Sequence, residues 1–369
     1  MVYSALLKKS IGIVRQSLEG AGLASLEPNL RMHGKHEPAA DSPLVLVACS
    51  GGRDSMALAA LAHIVCPTLG IRCGMITIDH ALQETSASVS AQVVNSCKQI
   101  GLNPVISNRV QVPHTRLGEE ADARKARYQA LVQAAQDYGA SAVLLAHTAD
   151  DQAEGVLIGL IRSSGLRAIA GMEEEIYQQG VLFLRPLLGL RRVETTQVCQ
   201  TLGIAWWDDP TNGDHIQQGQ ALSADFPLRS RVRHDLLPAL NQFAGKDIIT
   251  QLARTANLAR QDQNYIDEQA QDLLARSQQP HTGRAVSGTV PVCLTLKTLQ
   301  DAHPVVRRHM WSILLESLGL GVSSRHIHQV DELVSAWHGQ GPVALPSFYS
   351  ATRQHHVILV CKNREYANR

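Results

Sequence analysis

The chain has 369 residues, 44% of them hydrophobic, which is enough for two domains with sizeable cores. Its 34 lysines and arginines balance 33 aspartates and glutamates at a net charge of +1, so the overall charge neither requires nor excludes a nucleic-acid partner. Seven scattered cysteines without a C-x-x-C pair argue against a disulfide scaffold and against a zinc or iron–sulfur site. No stretch has the length of a membrane span or the pattern of a signal peptide, so we expect a reduced, cytoplasmic protein.

The first predicted elements are a short amphipathic helix within residues 1–23 and a Pro- and Gly-rich linker over 24–43. Apolar runs then alternate with amphipathic segments. The predicted strands are 44–49, 71–78, 104–110, 142–146 and 181–185, and the predicted helices are 54–65, 86–100, 119–138, 151–162 and about 191–203. This alternation predicts an α/β fold with a parallel sheet covered by helices on both faces.

The pattern changes after the last of these helices. Residues 208–227 form a polar predicted loop, 235–275 are strongly helical, 276–291 interrupt the pattern, and 292–361 combine two helices with short strands. We therefore predict a helix and linker over 1–43, a catalytic domain over 44–235, and a region over 236–369 that contains a helical segment and a small C-terminal α+β domain.

Residues 44–58, LVLVACSGGRDSMAL, contain the first chemical motif, a buried strand followed by a polar turn and a helix. Gly51 and Gly52 allow positive φ and a close approach to their N–H groups, and the helix N-terminus favours an anion. The spacing matches neither G-x-x-x-x-G-K-[ST] nor G-x-G-x-x-G. Ser50 and Ser55 add hydroxyl donors, and a carboxylate at Asp54 suits an Mg²⁺ ion held between it and phosphate. The alternative is that Ser50 and Asp54 merely cap the helix.

Two further polar clusters follow the second and fourth predicted strands, around Asp79-His80 and over 147–154. The carboxyl ends of parallel strands meet at one edge of a sheet, so we expect these clusters to converge with the turn at residues 50–55. Asp151 and Glu154 are three residues apart at the start of a helix and share a face, where they can hold a metal or an amine. The alternative for these carboxylates is stabilisation of the helix N-terminus.

The predicted helix 119–138 places Glu120, Arg124 and Arg127 on one side. A guanidinium there can bind phosphate or a substrate carboxylate in a bidentate manner. An exposed ion-pair face explains the same spacing equally well.

These motifs carry a resemblance. SGGRDS resembles the pyrophosphate loop of the N-type ATP pyrophosphatases, which have a Rossmann-like parallel sheet and split ATP into AMP and pyrophosphate. The order and spacing over about 44–240 resemble the tRNA(Ile)-lysidine synthases, through the motifs SGGRDS, DHAL, EEADARKARYQAL, LLAHTADDQAEG, RSSGLRAIAGM, LRPLLGLRR, WWDDPTN and LRSRVRHDLLPAL. That family uses ATP to attach lysine to C2 of the wobble cytidine of a tRNA(Ile) with a CAU anticodon. The reaction passes through an adenylated cytidine, releases AMP and diphosphate, and changes the tRNA from methionine to isoleucine specificity.

The resemblance implies roles for individual residues, with ATP and Mg²⁺ as cofactors and lysine and tRNA(Ile) as partners. Asp54 organises Mg²⁺ and ATP, Asp151 is a second metal ligand, and Asp151 and Glu154 bind lysine. Arg127 contacts phosphate, and Arg229 and Arg231 complete the catalytic set. The implied nucleotide-binding residues are Ser50, Gly51, Gly52, Arg53, Asp54, Ser55, Asp79, His80 and His147, although a core histidine explains the last two almost equally well.

Two arginine clusters supply local positive charge, one at 185, 191 and 192 and one at 229, 231 and 233 with His234. We expect one to close on ATP and the other to hold tRNA phosphates; the alternative for the second is a basic loop that satisfies helix carbonyls. The chain departs from the family pattern at Gln83, Thr148, Gly155 and Ser230. Rival interpretations are a tRNA-thiolating enzyme, an amidotransferase-type synthetase and a non-catalytic tRNA-binding homologue, and the sequence leaves a homodimer open.

Overall fold

The computed structural model describes residues 3–27, 37–79, 86–110, 112, 119–163, 165–209, 221–280 and 291–363. The chain divides into two compact units, residues 1–260 and residues 261–369. The domain boundaries expected from the sequence, after residues 43 and 235, stay predictions. Within the described ranges, no helix is both long enough and apolar enough to cross a membrane.

A six-stranded sheet forms the centre of the first unit. Its strands are β1 (Leu44–Ala48), β2 (Arg72–Asp79), β3 (Val105–Arg109), β4 (Ala142–Leu144), β5 (Glu175–Gln178) and β6 (Val181–Leu184). They lie in the order β3-β2-β1-β4-β6-β5, and every neighbouring pair is parallel except β5 with β6. The chain winds outward in both directions from β1 and β4, and a sheet of this kind opens a crevice at the carboxyl ends of those two strands.

Helices cover both faces of this sheet, which confirms the predicted α/β fold. In the first unit they are α1 (Ala5–Gly20), α2 (Arg53–Val65), α3 (Ser86–Ile100), α4 (Glu119–Asp137), α5 (Ala149–Arg162), α6 (Leu166–Ile169), α7 (Arg192–Leu202), α8 (Leu228–Arg231), α9 (Leu237–Ala244) and the start of α10 (Ile249–Ser277). Strand β1 shows how the two layers form, because its successive side chains point to opposite faces. Val45 and Val47 pack with α1, α2 and α7, whereas Leu44 and Leu46 pack with α4.

The sequence pattern did not predict the edge strand β5. It has only four residues, two of them exposed, so it carries no hydrophobic signal of its own. A turn at Gln179 and Gly180 joins it to β6, and both residues have positive φ, 50° and 80°. Two-residue turns with this geometry connect antiparallel strands, which explains why β5 runs against the rest of the sheet.

The second unit is the predicted small α+β domain. An antiparallel sheet contains β7 (Gln278–Gln279), β8 (Val292–Thr295), β9 (Val343–Leu345), β10 (Tyr349–Gln354) and β11 (Val357–Lys362), in the order β7-β8-β11-β10-β9. The end of α10 packs here with α11 (Leu296–Gln300), α12 (Pro304–Ser317) and α13 (Ser324–Ser335). Trp311 is fully buried in the core, and its indole N–H donates to Asp331, which also pairs with Arg307.

Candidate active site

A cleft of about 540 Å³ lies at the carboxyl ends of β1, β2 and β4 in the first unit. Most of the side chains predicted to form a site line it: Ser50, Gly52, Arg53, Asp54, Ser55, Asp79, Arg127, His147, Asp151 and Arg229. The sequence clusters therefore converge at one edge of the sheet, as expected. The predicted site residue His80 and Gln83, a position where the chain departs from the family pattern, lie outside the described part of the chain.

The turn between β1 and α2 is built to leave backbone N–H groups available. Gly51 has a φ of +86°, and a Cβ added there would lie 2.4 Å from Cγ2 of Val93, so the position requires glycine. Gly52 is the N-cap of α2 and has no side chain with which to cap it. The hydroxyl of Ser55 donates to the Gly52 carbonyl oxygen at 2.9 Å. An uncapped helix N-terminus behind a glycine turn is a favourable site for a phosphate group.

A segment after α7 lies against this turn. The N–H of Trp207 donates to the Gly51 carbonyl oxygen at 2.9 Å. The guanidinium of Arg53, predicted to bind nucleotide, pairs with Asp208 at 2.5 Å and lies over the ring of Trp206. Trp207 and Asp208 also line the cleft. The WWDD motif thus fixes one rim of the cleft, and its aspartate neutralises Arg53.

The first turn of α5 presents Asp151 in a fixed orientation. Thr148, which replaces the usual residue of the family pattern, is the N-cap of this helix. Its N–H and hydroxyl donate to Oδ2 of Asp151 at 2.8 and 2.9 Å, which completes a capping box. The other oxygen, Oδ1, accepts from Arg192 at 3.3 Å. Asp151 therefore stabilises the N-terminus of α5 and also contacts a charged group. The helix-capping and ligand-binding interpretations of this residue are thus compatible.

Arg192, the first residue of α7, lies at the centre of a cluster of three carboxylates. Its Nε is 3.1 Å from Oδ2 of Asp54, its Nη2 is 3.3 Å from Asp151, and its Nη1 is 3.5 Å from Oε1 of Glu154. The three nitrogens of one guanidinium thus contact three carboxylates, one from α2 and two from α5. The hydroxyl of Thr195 donates to Oδ1 of Asp54 at 2.5 Å. Asp54 is held from both sides.

Glu154 has a second arginine partner. Nε and Nη2 of Arg233 donate to its two oxygens at 2.7 and 3.1 Å, a bidentate pair, and the Glu154 side chain is fully buried. Arg233 belongs to a π turn, Val232–Leu236, that interrupts the helix formed by α8 and α9. Single π turns inside helices often occur at functional sites, and this one carries a site residue. Arg229, one turn earlier, lies 3.9 Å from both Asp151 and Glu154.

The carboxylates have different proton affinities. Burial raises the pKa of Asp54, and the attraction of Arg192 only partly offsets this. Burial also acts to raise the pKa of Asp151, but Arg192 and its other cationic and hydrogen-bonding neighbours outweigh it and lower that pKa to about 2. Although burial disfavours its charge, Arg192 has a raised pKa because of Asp151, Asp54 and Glu154. Of Asp54 and Asp151, Asp54 is therefore the less favourably ionised carboxylate.

Basic and neutral polar groups also line the cleft. Arg127 lies 5.9 Å from the ring centre of Tyr128, and burial together with the charges of Arg124 and Arg229 lowers the pKa of its guanidinium. In the described ranges, no carboxylate pairs with Arg127. His147 is neutral, because burial lowers its pKa to about 3, and its buried Nδ1 has no hydrogen-bond partner among the residues that the structure describes. This wall offers positive charge and a neutral imidazole to a ligand.

Three predicted residues do not line the cleft directly. Gly51 and Glu154 lie behind the lining and act through backbone geometry and Arg233, as described above. Arg231 is also outside the lining, and its Nε is buried without a hydrogen-bond partner within the described residues. Asp79 lines the cleft and lies 3.6 Å from Arg109.

Sequence reasoning missed the central position of Arg192 and the roles of Thr195 and Asp208. Arg192 was assigned to a general basic cluster without a partner. The available signal was its place at the predicted start of a helix after LRPLLGL, which brings residues 192 and 195 onto one face. Nothing in the local spacing relates that face to Asp54, 138 residues earlier.

The residues present fit a nucleotide and a magnesium ion. The glycine turn, the α2 N-terminus and the basic wall suit a polyphosphate, and the volume of the cleft is in the usual range for small-ligand sites. Within the described ranges, no group of three or more His, Cys, Asp or Glu residues forms a metal site by itself. Asp54 and Asp151 contact the same guanidinium, and the charge of Asp151 helps to raise the pKa of Asp54, so the two carboxylates lie near each other. Magnesium commonly takes one or two carboxylates and completes its coordination with phosphate oxygens and water.

Comparison with known proteins identifies relatives along the whole chain. The PP-loop domain family matches residues 27–240. The tRNA(Ile)-lysidine synthase of Bifidobacterium longum subsp. infantis is 47% identical over 390 aligned positions, with all of both chains covered. The proteins of the same name from Salinispora arenicola and Streptomyces coelicolor are each 42% identical, cover 83% and 85% of this chain, and are themselves covered to 87% and 84%.

Proposed function

Because this chain belongs to the tRNA(Ile)-lysidine synthase family, we propose that its cleft ligates lysine to C2 of the wobble cytidine of a tRNA(Ile) with a CAU anticodon. The protein is a ligase that uses ATP to modify tRNA. The observation that carries the proposal is the carboxylate cluster around Arg192, which lies next to an uncapped anion-binding turn in one cleft. A thiolating enzyme of the same superfamily is not favoured by these relatives.

The first chemical step is adenylation of the cytidine. The C2 oxygen of cytosine attacks the α-phosphate of ATP, the bond to the β-phosphate breaks, and diphosphate leaves. The turn at residues 50–55 and the α2 N-terminus bind the leaving diphosphate, and Arg127 stabilises charge on the α-phosphate. Asp54, with Asp151, would hold Mg²⁺, which neutralises phosphate charge when it is bound. The neutral side chain of His147 lines the cleft, in a position to contact the nucleotide.

The second step attaches lysine. The ε-amine of lysine attacks C2, the bond from C2 to the adenylated oxygen breaks, and AMP leaves with that oxygen. Asp151 and Glu154 bind the cationic groups of lysine, and a carboxylate near the ε-amine accepts its proton, since only the neutral amine attacks. Arg229 lies 3.9 Å from both carboxylates and at the cleft, in a position to contact the tRNA or the adenylate.

Binding of the tRNA requires surfaces beyond the cleft. The wobble base must leave its anticodon stack to present C2 to the α-phosphate. We assign contacts with tRNA phosphates to Arg231 and its neighbours in the second arginine cluster. Residues 236–369 are the part of the chain proposed to distinguish tRNA(Ile) from the methionine tRNA with the same anticodon.

The test measures lysine incorporation directly. Purified protein is incubated with Mg²⁺, ATP, radiolabelled lysine and a tRNA(Ile) transcript with a CAU anticodon, and label in acid-precipitable RNA is counted. We expect ATP-dependent label that survives alkaline deacylation, which removes an ester but not a C–N bond to the base. Asp54→Asn should abolish the label. Asp137→Asn, at the exposed end of α4, is the matched control and should incorporate lysine normally.

Two outcomes would contradict the proposal. If folded protein cleaves ATP to AMP but leaves this transcript unlabelled, lysine is not the nucleophile. If the methionine tRNA transcript with the same anticodon is labelled equally well, the proposed selectivity is wrong.

A further inference from the structure

We propose that Arg192 couples the binding of Mg²⁺–ATP to the binding of lysine. The inference rests on the proposed function, because it takes Asp54 as the ATP-side carboxylate and Asp151 and Glu154 as the lysine-side carboxylates. Arg192 contacts all three, at 3.1, 3.3 and 3.5 Å. Its side chain is only 18% exposed, so these contacts are poorly screened by solvent.

The charges of the cluster balance when the substrates are absent. Three carboxylates, Asp54, Asp151 and Glu154, face three guanidinium groups, those of Arg192, Arg229 and Arg233. A lysine ammonium placed against Asp151 or Glu154 would add a positive charge beside Arg192. Like charges at this separation in a buried site repel strongly, so lysine and Arg192 compete for the same oxygens.

Nucleotide binding changes this competition. The phosphates of ATP bring negative charge to the turn at residues 50–55, next to Asp54. Arg192 is the arginine of the cluster that contacts Asp54, the carboxylate in the turn that we assign to the phosphates. Its guanidinium can then exchange Asp151 and Glu154 for phosphate oxygens, which removes the closest cation from Oδ1 of Asp151 and frees that oxygen for lysine, whereas Glu154 keeps its pair with Arg233. In this way ATP prepares the site for lysine.

Two neighbouring arginines, Arg233 and Arg191, are less suited to this exchange of partners. Arg233 forms the bidentate pair with Glu154, and the arrangement fixes its direction. Arg191, the neighbour of Arg192, is turned away and pairs with Asp150 and Asp247. By contrast, the backbone of Arg192 is anchored by an N–H donated to Asp150 at 2.8 Å, while its long side chain makes single, slightly long contacts with each carboxylate. Because its backbone is fixed and its side chain forms no bidentate pair, the guanidinium of Arg192 is suited to exchange one set of partners for another.

Coupling between two ligands is reciprocal and can be measured at equilibrium. Equilibrium dialysis of the full chain with radiolabelled lysine and the tRNA(Ile) transcript gives the Kd for lysine. The measurement is made with and without Mg²⁺ and α,β-methylene-ATP, which cannot release diphosphate. For the unaltered protein we expect the nucleotide analogue to lower the Kd for lysine by a factor of about 5–150, the usual range of such coupling. For Arg192→Ala we expect a ratio near one, because lysine then does not compete with Arg192 for Asp151 whether or not the nucleotide is bound.

Two further variants separate coupling from a structural role. Arg192→Lys keeps the charge but cannot reach three carboxylates together, so we expect it to restore part of the ratio. Arg260→Ala is the matched control, since Arg260 is also a part-buried arginine with three acceptors, on Ala170, Gly171 and Glu173, but it does not line the cleft. It should keep the ratio of the unaltered protein.

The outcomes distinguish this inference from the proposed function. If Arg192→Ala keeps the full ratio, or if the analogue does not change lysine binding to the unaltered protein, the coupling role is wrong and the proposed function stands. Loss of the ratio in Arg260→Ala as well would also overturn it, because the effect would then be general. If the unaltered protein binds no lysine under any of these conditions, the proposed function itself fails.

Discussion

Removal of the Glu154 carboxylate should destabilise the first unit strongly. In Glu154→Ala, Arg233 loses both of its hydrogen-bonded oxygens, at 2.7 and 3.1 Å, and Arg192 loses one of its three carboxylates. Glu154 is fully buried, and the side chains of both arginines are 18% exposed, so water cannot replace the lost partner efficiently. Breaking a buried ion pair by removing one partner costs about 3–5 kcal/mol, and we expect Glu154→Ala to fall in this range.

This loss is large enough to measure by thermal unfolding. A change of 1 kcal/mol shifts the midpoint of a unit of this size by about 2 °C, so the expected loss corresponds to a decrease of about 6–10 °C. Scanning calorimetry of the full chain resolves the transition that contains the first unit. Asp272→Ala is the control, because it removes a carboxylate from an exposed ion pair with Arg276, which is worth at most about 0.5 kcal/mol.

A double-mutant cycle then tests whether the cost comes from the stranded arginine. In Glu154→Ala combined with Arg233→Met, no unpaired charge remains at position 233, so the double variant should be more stable than the sum of the single effects by about 1–3 kcal/mol. If Glu154→Ala costs less than about 1 kcal/mol, or if the two effects simply add, then Arg233 does not depend on Glu154 and the reasoning is refuted.

Three other substitutions, at His147, Gly51 and Asp331, test separate features of the two units. Because His147 has a pKa of about 3 in the folded chain and about 6.5 when unfolded, the unfolded state binds its proton first, and acidification from pH 7 to 5 should lower the free energy of unfolding by about 2 kcal/mol more than in His147→Gln, measured by urea titration. Gly51→Ala should cost about 1–3 kcal/mol through positive φ and a clash with Val93, and should raise KM for ATP more than KM for lysine. Asp331→Ala should leave the buried Arg307 unpaired and lower the unfolding free energy of the second unit by about 3–5 kcal/mol, seen by calorimetry.

The parallel sheet and the position of the cleft could be predicted because they depend on local patterns. The apolar run at residues 44–49 indicated a strand that is buried on both faces, and Gly51 and Gly52 after it indicated a turn with positive φ. Since polar clusters followed two further strands, the rule that parallel strands end at one edge placed them together. The structure confirms this convergence at the cleft.

The partners of the site residues could not be predicted, because they come from segments far apart in sequence. Arg192 lies 138 residues after Asp54, and Arg233 lies 79 residues after Glu154. Helical spacing tells which residues share a face but not which faces meet. Arg53 illustrates this limit: the family resemblance implies a nucleotide contact for it, but nothing in the sequence indicated that its guanidinium pairs with Asp208, 155 residues later.

The charges of Asp54 and Asp151 change the stability of the fold in opposite directions, and substitution of each residue by asparagine tests this difference. The pKa of Asp54 is raised by burial, so its charged form costs stability above that pKa, and Asp54→Asn should be at least as stable as the original chain at pH 7 while losing ATP cleavage. The pKa of Asp151 is lowered to about 2, so its charge stabilises the fold above a pH of about 4, and Asp151→Asn should cost about 2 kcal/mol at pH 7. Urea unfolding at pH 7 compares the two variants directly. Equal destabilisation would contradict the conclusion that the substrate-free site accommodates the charge of Asp54 less well than the charge of Asp151.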